Sequence, residues 1–260
     1  MSRVRIQQYK GGSKSAKALS GYLGAKRLLV HGSRFIGKNS DTIINWGSQK
    51  EVRGTARVLN KPNAVYKASN KLQAFKTLDR EGVSIPWFTN TATELSNGTK
   101  YVARTKLSGH SGAGIEVFTP NVDEPNIPNA PLYTQYINKV AEYRAIVVGD
   151  EVVDFKQKKK KISPRDEDDN IIEEERIEHD EYVWNLNGGY IFARGGVVIT
   201  PECSSLAIRA VSALGLDYGA VDIIEDTEGT LYVLEVNTAF GLEGTTIELV
   251  GEAIKGLIDG

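Results

Sequence analysis

The chain has 260 residues, of which 40% are hydrophobic, so it is long enough to bury a sizeable core. Its 32 basic and 33 acidic side chains nearly cancel, which excludes a global field that would favour nucleic acid or an anionic membrane. The single cysteine, Cys203, excludes an internal disulfide, and no apolar run approaches the ~20 residues that cross a bilayer. Because the N-terminus also lacks the apolar middle of a secretion signal, we expect a cytoplasmic protein.

The first predicted elements are a short N-terminal α/β segment and a helix. Residues 1–66 mix short apolar runs with Gly-Ser turns, which is typical of a small α/β unit. Residues 69–86 carry apolar side chains at helical spacing. Ser69 or Asn70 can cap this helix, and Gly82 ends it.

Strands are predicted in the middle of the chain, and a charged loop follows them. The candidate strands are 100–104, 114–118, 132–137, 143–148 and 151–155. The turn Gly149-Asp150 joins the last two into an antiparallel hairpin. The segment from Lys156 to Glu181 is a basic run followed by an acidic run, with almost no apolar periodicity. Its composition predicts a solvated, mobile loop.

The last part of the chain predicts two helices around a hairpin. Thr200 can cap a helix that has Pro201 at its first position and ends at Gly215. Two strands follow, over 219–225 and 230–237, and a closing helix completes the sequence. This order of elements predicts a mixed α+β or α/β fold.

Polar side chains on the last hairpin suggest a metal site. Side chains alternate along a strand, so Glu235 and Asn237 share one face while Val236 takes the other. Pairing across the turn can bring Asp222 beside them. Three oxygen ligands suit Mg²⁺, which substrate phosphates usually complete. The alternative is an exposed polar face of an edge hairpin, and periodicity alone does not separate the two.

A glycine-rich loop over residues 107–115 suggests a phosphate contact. Its glycines let backbone N–H groups approach an anion, and Arg104 and Lys106 stand just before it. A flexible hairpin turn has the same composition and is the alternative interpretation. We assign no role to His110 in this loop, and Cys203 is expected to be a small buried apolar residue.

The order of these features resembles the ATP-grasp superfamily, in particular its RimK-like carboxylate-amine ligases and small phage-encoded members. A lysine opens a helix at Lys71, a basic strand end and a glycine-rich loop follow, and then come Glu142-x-Arg144 and the acidic hairpin. The resemblance covers roughly residues 62–260 and implies an ATP-grasp fold, two α+β lobes gripping ATP. The implied division is 1–66 for an N-terminal α/β segment, 67–136 for the small lobe with the glycine-rich loop, and 137–260 for the large lobe with the metal ligands.

The resemblance also implies roles for individual residues. The implied nucleotide contacts are Lys71, Arg104, Lys106, Gly109, Ser111, Gly112, Gln135, Tyr136, Ile137 and Glu142. Arg104 stands where the family has lysine, so Lys106 is its competitor for the phosphates. The implied catalytic residues are Arg144, Lys158 and Asn185. The implied ligands of two Mg²⁺ ions, for which Mn²⁺ can substitute, are Asp222, Glu235 and Asn237.

The activity that the resemblance implies is ATP-dependent ligation. A carboxylate would be joined to an amine through an acyl-phosphate, with release of ADP and phosphate, and the substrate can be a peptide or a protein tail. We expect no nucleic acid or membrane partner, and the compartment is the host cytoplasm if the protein is phage-encoded. Two alternatives stay open. One is an ATP-grasp kinase that phosphorylates a small molecule, and the other is a non-catalytic nucleotide-binding protein.

Overall fold

The computed structural model describes residues 3–108, 114–121, 126–166, 170–185 and 187–260, and three β-sheets organise them. The first sheet is parallel, in the order β2-β1-β3-β4, with β1 (Val4–Gln8), β2 (Lys26–Arg27), β3 (Thr42–Trp46) and β4 (Arg57–Leu59). Helix α1 (Lys14–Tyr22) follows β1 in the chain. This sheet confirms the predicted α/β character of the N-terminal segment.

The second sheet is antiparallel, in the order β5-β8-β6-β7. Its strands are β5 (Phe88–Thr89), β6 (Tyr101–Arg104), β7 (Ile115–Phe118) and β8 (Leu132–Gln135). Two helices precede it, α2 (Pro62–Ser69) and α3 (Lys71–Arg80), and a 3₁₀ turn lies at Ala92–Glu94. Helix α2 has no counterpart among the predicted elements, because its eight residues make little more than two turns and give no clear apolar period.

The third sheet is antiparallel and has five strands in the order β11-β10-β9-β12-β13. These strands are β9 (Lys139–Val148), β10 (Glu151–Lys160), β11 (Tyr190–Ala193), β12 (Tyr218–Asp226) and β13 (Leu231–Asn237). The remaining elements are α4 (Pro201–Ala213), α5 (Thr246–Asp259) and a 3₁₀ turn at Glu173–Glu175. No helix in the described part of the chain is both long and apolar enough to cross a membrane.

The caps of α3 and α4 confirm the predicted helix starts. The Asn70 side chain accepts a hydrogen bond from the backbone N–H of Gln73. At α4, Thr200 accepts from the N–H of Cys203, and Pro201 occupies the first turn. Each cap satisfies an N–H group that has no partner within its own helix, so local sequence is enough to place both starts.

The predicted loop is wrong for residues 156–160, which continue strand β10. Pairing on both sides explains the difference: Lys156 lies opposite Arg144 on β9, and Lys158 lies opposite Phe192 on β11. The backbone of this lysine-rich run is therefore hydrogen-bonded within the sheet, which composition alone does not reveal. The residues between β10 and β11 that the structure describes carry the short 3₁₀ turn and one isolated β-bridge, between Arg165 and Ile171.

The five-stranded sheet is packed on both faces at one end of its strands. On one face, Val147 and Val221 join a core that α2, α3 and α4 cover. On the other face, Ile146 and Tyr218 join a second core with α1, α5 and the first sheet. The N-terminal sheet therefore shares its apolar core with the last helix of the chain.

Further along the same strands, the second face changes from apolar to charged. Arg144 lies two residues before Ile146 on β9, and Asp222 lies two residues after Ala220 on β12. Because side chains alternate along a strand, these charged groups share a face with the second core. That face therefore forms both part of the core and the floor of a polar cleft.

The contact between α1 and α5 supplies a test of packing. Gly251 on α5 is buried, and a Cβ atom added there would collide with the ring of Tyr22 on α1. We expect Gly251→Leu to lower the free energy of unfolding by about 1–3 kcal/mol through overpacking, as measured by urea denaturation.

Gly256 is a matched control for this prediction because it lies in the same helix with open space around its Cα. Gly256→Ala is expected to raise stability by up to about 1 kcal/mol through helix propensity. Equal effects of the two substitutions would contradict the proposed α1–α5 packing.

Candidate functional site

A cleft of about 690 Å³ lies between the second sheet and the charged face of the third. Strands β6, β7 and β8 line one side, and β9 to β13 line the other. The structure brings most of the predicted site residues to it. The predicted residues that line it are Arg104, Gln135, Tyr136, Ile137, Glu142, Arg144, Lys158, Asn185, Asp222, Glu235 and Asn237.

Four charged side chains form a row across the cleft floor. Glu235, Asp222, Arg144 and Lys156 occupy directly opposite positions on β13, β12, β9 and β10. Two carboxylates therefore lie next to two cations across adjacent strands. Such a row can bind a ligand that carries both negative charge and metal ions.

An irregularity in β13 determines which of its residues belongs to this row. Ile223 pairs with Val233, but the next residue, Asp222, pairs with Glu235, so Leu234 is an extra residue on its strand. In a regular ladder Asp222 would face Leu234, and Glu235 would be one position out of register. A β-bulge of this kind re-aims side chains and is frequent beside active sites.

Arg144 and Asp222 form a two-point ion pair at the centre of the row. Arg144 Nε donates to Asp222 Oδ1 at 2.6 Å, and Nη2 donates to Oδ2 at 2.7 Å. Burial raises the pKa of Asp222, and Arg144 opposes this shift. Burial on its own would lower the pKa of Arg144, but Asp222 raises it. Each group therefore stabilises the charged form of the other.

Glu235 is paired with residues from two other elements. Lys71 Nζ donates to its Oε2 at 3.0 Å, and Asn237 Nδ2 donates to its Oε1 at 2.9 Å. Burial would raise the pKa of Glu235, but Lys71, Asn237 and Arg104 together bring it to about 2. Although Lys71 does not line the cleft itself, the α3 helix start places it against the site through Glu235.

Glu142 is the centre of a second cluster of charged side chains, and one of its members, Lys139, was not predicted from the sequence. Lys139 Nζ donates to Glu142 Oε2 at 2.8 Å, and Lys158 pairs with the other carboxylate oxygen. The predicted residues Glu142 and Lys158 thus meet directly. Burial lowers the pKa of Lys139, and Glu142 opposes this shift. Lys139 lies three residues before Glu142, and regular alternation along a strand would put the two on opposite faces. An irregularity in the pairing of β9 with β12, with Val140 as the extra residue, brings them together, so the sequence carried no signal for this contact.

Aromatic side chains form the walls on either side of these charges. Arg144 and Lys158 lie over the ring of Phe192, at 4.3 and 5.3 Å from its centroid. Tyr182 contacts the edge of Tyr136 at a centroid distance of 5.6 Å. Neither Phe192 nor Tyr182 could be predicted, because both reach the cleft through long-range packing.

The predicted glycine-rich loop is only partly described. Gly109, Ser111 and Gly112 lie outside the described residues, as does His110. Arg104 is 8% exposed and lines the cleft, and its Nε has no hydrogen-bond partner among the described residues. Burial lowers its pKa, and Glu235 opposes this shift. Lys106 is exposed and does not line the cleft as described.

Asn185 lines the cleft and also shapes its own turn, because its Oδ1 accepts a hydrogen bond from the N–H of Gly188 at 2.7 Å. Cys203 is buried, as expected, and burial raises the pKa of its thiol to about 12. Cys203 therefore has no reactive character at neutral pH.

The hairpin residues fit a divalent metal by the chemistry of their donors. Asp222 and Glu235 offer carboxylate oxygens, and Asn237 offers an amide oxygen on the same face. Among the described residues, no group of three or more His, Cys, Asp or Glu could hold a metal ion. Two carboxylates and one amide oxygen are donors that Mg²⁺ prefers, and phosphates of a bound ligand would complete such a site.

Comparison with known proteins agrees with this geometry. Residues 168–259 match the RimK-like ATP-grasp domain. A probable alpha-L-glutamate ligase of Pseudomonas putida is 28% identical over 221 residues, covering 77% of this chain and 65% of the relative. The ribosomal protein bS6–L-glutamate ligase of Escherichia coli is 28% identical over 222 residues, covering 76% of this chain and 66% of the relative. The chain thus spans slightly less than two thirds of the length of these curated relatives.

The fold has counterparts among solved structures. The ATP-grasp ligase PsnB, complexed with a minimal precursor, Mg and ADP, superposes with a TM-score of 0.62 at 13% identity. The superposition covers 98% of this chain and 96% of PsnB. At this identity the likeness concerns the fold, and it confirms the ATP-grasp fold expected from the sequence.

Proposed function

Because the chain has the ATP-grasp fold and residues 168–259 are a RimK-like ATP-grasp domain, we propose that it is an ATP-dependent ligase that joins a carboxylate to an amine. The observation that carries this proposal is the row of Glu235, Asp222, Arg144 and Lys156 across the cleft floor. It puts carboxylates for metal beside cations for phosphate, and ATP-dependent phosphoryl transfer needs both.

The proposed reaction has two steps. The substrate carboxylate attacks the γ-phosphorus of ATP, the bond to the β-γ bridging oxygen breaks, and an acyl-phosphate and ADP result. The amine then attacks the acyl carbon, loses a proton, and phosphate leaves. Arg144 and Lys158 would neutralise the charge on the transferring phosphoryl group, and Asn185 would donate to it from the side of the cleft.

Nucleotide binding is proposed for the residues at the other end of the cleft. Gln135 is the last residue of β8, and Tyr136 and Ile137 follow it; these residues would hold the adenine largely through backbone groups. Arg104 and Lys71 would contact the phosphates, and Glu142 would orient Lys158. Positioning of this kind lowers the barrier without a covalent nucleophile on the protein.

We further propose that Asp222, Glu235 and Asn237 would hold two Mg²⁺ ions, for which Mn²⁺ can substitute. Magnesium would supply neutralisation of negative charge on the β- and γ-phosphate oxygens. In the structure the same carboxylates are neutralised by Arg144 and Lys71. Those two cations are therefore well placed to turn to the phosphates once metal charge balances Asp222 and Glu235.

The proposed lobes follow from this arrangement. The small lobe would span residues 67–136 and the large lobe 137–260, with the N-terminal segment 1–66 packed against the latter. Support comes from the second and third sheets, which fall on opposite sides of the cleft. The N-terminal sheet shares its core with α5.

For the substrate class, we propose a peptide or a protein tail. The bS6–L-glutamate ligase is named for a ribosomal protein, and PsnB is described in complex with a precursor. The cleft of this chain extends past the proposed metal ligands to Phe240 and Gly241, which leaves room for an acceptor beside the phosphates.

Mass spectrometry of reaction products tests the proposal. Candidate carboxylates, amines and cell proteins are incubated with the enzyme and MgATP. We expect a mass increase equal to one amine minus water, together with stoichiometric ADP and free phosphate. A stable phosphoester product would instead identify a kinase, and binding of ATP without any product would identify a non-catalytic nucleotide-binding protein.

Arg104 and Lys106 give a test of phosphate binding. Arg104 is buried and faces the cleft, whereas Lys106 is exposed. We expect Arg104→Ala to raise the Kd for ATP by about tenfold, because a charged hydrogen bond is lost from a buried site. Lys106→Ala is the control and should change the Kd by less than about twofold. The reverse order, measured by calorimetry, would assign the phosphate contact to Lys106.

A further inference from the structure

Although the chain is nearly neutral as a whole, its basic and acidic residues are distributed unevenly along the sequence. Residues 3–67 carry 14 lysines and arginines but two acidic residues, Asp41 and Glu51. The rest of the chain carries 18 basic and 31 acidic residues. Asp41 is already engaged by Arg3, whose Nε donates to Oδ1 at 2.9 Å. The N-terminal segment is therefore strongly positive, and its second acid, Glu51, lies between Lys50 and Arg53 in the sequence.

Part of this charge surrounds two exposed aliphatic side chains. Leu29 is 70% exposed and Ile36 is 59% exposed, both in the segment between β2 and β3. The residues that we call the basic patch are Leu29, Arg34, Ile36, Lys38, Lys50 and Arg53, all of them exposed. A mixture of exposed aliphatic and basic side chains on one surface is a feature of partner binding rather than of ordinary solvation.

Specific contacts fix the backbone beneath the basic patch. Lys50 Nζ donates to the carbonyl of Val30 at 2.9 Å, and the N–H of Gly37 donates to the carbonyl of Arg53 at 2.8 Å. These bonds join the segment between β2 and β3 to the loop between β3 and β4. The patch is therefore one ordered surface built from two segments.

The basic patch lies on the face of the first sheet opposite α1. Ile6 on β1 packs with α1 in the core, so its neighbours Arg5 and Gln7 point to the other face. There Arg5 stands over the ring of Phe35 at 5.7 Å, and Gln7 Nε2 donates to the carbonyl of Lys50 at 2.7 Å. An irregular segment, rather than a helix, thus covers this face and presents the patch outward.

We propose that the basic patch binds an acidic polypeptide segment in which glutamate or aspartate alternates with aliphatic residues. Carboxylates of the segment would pair with Arg34, Lys38 and Arg53, and its aliphatic side chains would cover Leu29 and Ile36. Nucleic acid fits less well, because single strands need aromatic stacking surfaces. The ring of Phe35 beneath the patch is already covered by arginines.

The loop that carries Lys50 and Arg53 begins beside the cleft, which links this proposal to the proposed function. A Cβ added to Gly47, three residues before Lys50, would lie 2.7 Å from Cβ of Ala239. Ala239 lines the cleft beyond the proposed metal ligands. If the chain is a ligase of peptides, a segment held on the patch would reach the cleft by running along this loop toward Ala239.

Fluorescence anisotropy with the full chain tests the patch without ATP, so the result does not depend on whether the chain is a ligase. The probe is a labelled Glu-rich peptide with spaced leucines. The charge reversal Arg34→Glu, Lys38→Glu, Arg53→Glu is expected to raise its Kd at least about tenfold, since three ion pairs become repulsive. The control reversal Lys17→Glu, Lys76→Glu, Arg209→Glu changes the net charge equally, at exposed positions outside the patch, and should change the Kd by less than about threefold.

A second variant tests whether the aliphatic side chains of the patch contribute to binding or whether binding is purely electrostatic. Leu29→Ser with Ile36→Ser should raise the Kd for the peptide about threefold or more while leaving its salt dependence unchanged. Equal weakening by the patch and control reversals would overturn the proposal. The proposal would also be overturned if a single-stranded oligonucleotide of equal charge bound more tightly than the peptide and the serine variant left that binding unchanged. Salt-sensitive self-association abolished by the patch reversal would assign the surface to a second copy of the chain instead.

Discussion

Glu235→Gln is expected to lower ATP turnover by about 10²–10³-fold while the far-UV circular dichroism spectrum stays unchanged. The substitution removes the charge of a proposed metal ligand, and it weakens the contact with Lys71 Nζ at 3.0 Å. Lys71, the cation that loses its partner, keeps 16% of its side chain exposed, and glutamine keeps the size of the side chain, so we expect the fold to persist. Asn237→Ala should have a similar effect on turnover, since it removes both a proposed ligand and the hydrogen bond to Glu235.

Glu228→Gln is the matched control for this prediction. Glu228 lies in the turn that joins β12 and β13, so the same hairpin carries the same change of charge at an exposed position outside the cleft. Turnover should remain within about twofold of the original protein. Assays over a range of Mg²⁺ concentrations supply the measurement. Unchanged turnover in both Glu235→Gln and Asn237→Ala would remove the proposed metal site.

Arg144→Met is expected to abolish turnover and also to lower the free energy of unfolding by about 3 kcal/mol. Asp222 is 5% exposed and accepts two hydrogen bonds from Arg144, so the substitution leaves a buried carboxylate without its cation. Urea denaturation measures the change in stability, and phosphate release measures turnover.

The double variant Arg144→Met, Asp222→Asn separates the structural role from the chemical one. Neutralising Asp222 removes the unpaired buried charge, so most of the lost stability should return. Turnover should stay abolished, because both a proposed phosphate contact and a proposed metal ligand are then missing. Recovery of activity together with stability would mean that the pair only supports the fold, and the proposed mechanism would lose its central residue.

The charged row on the cleft floor is predictable from the sequence along one strand but not between strands. Period-two alternation places Glu235 and Asn237 on one face of β13, and the structure confirms this arrangement. The bulge at Leu234, however, has no local signal, and it alone decides that Glu235 rather than Leu234 faces Asp222. Register across strands depends on packing of the whole sheet, so it cannot be derived from one strand.

The lysine-rich run is the clearest error, and its cause is the same. Composition predicts a solvated loop because no apolar alternation is present. Two long-range pairings, with Arg144 on β9 and with Phe192 on β11, instead hold residues 156–160 in the sheet. Once in a strand, Lys156 and Lys158 point to the cleft together. Their stems can then pack on the protein while their ammonium groups meet acids such as Glu142.

By itself the sequence determined the features that depend on neighbours a few residues apart. These are the caps at Asn70 and Thr200, the alternation that pairs Glu235 with Asn237, and the order of elements that resembles an ATP-grasp protein. Only the tertiary structure decided which side chains meet across strands, because backbone pairing and burial join residues far apart in the chain. It set the Arg144–Asp222 pair, the place of Lys71 beside Glu235, and the basic patch on the face of the first sheet opposite α1.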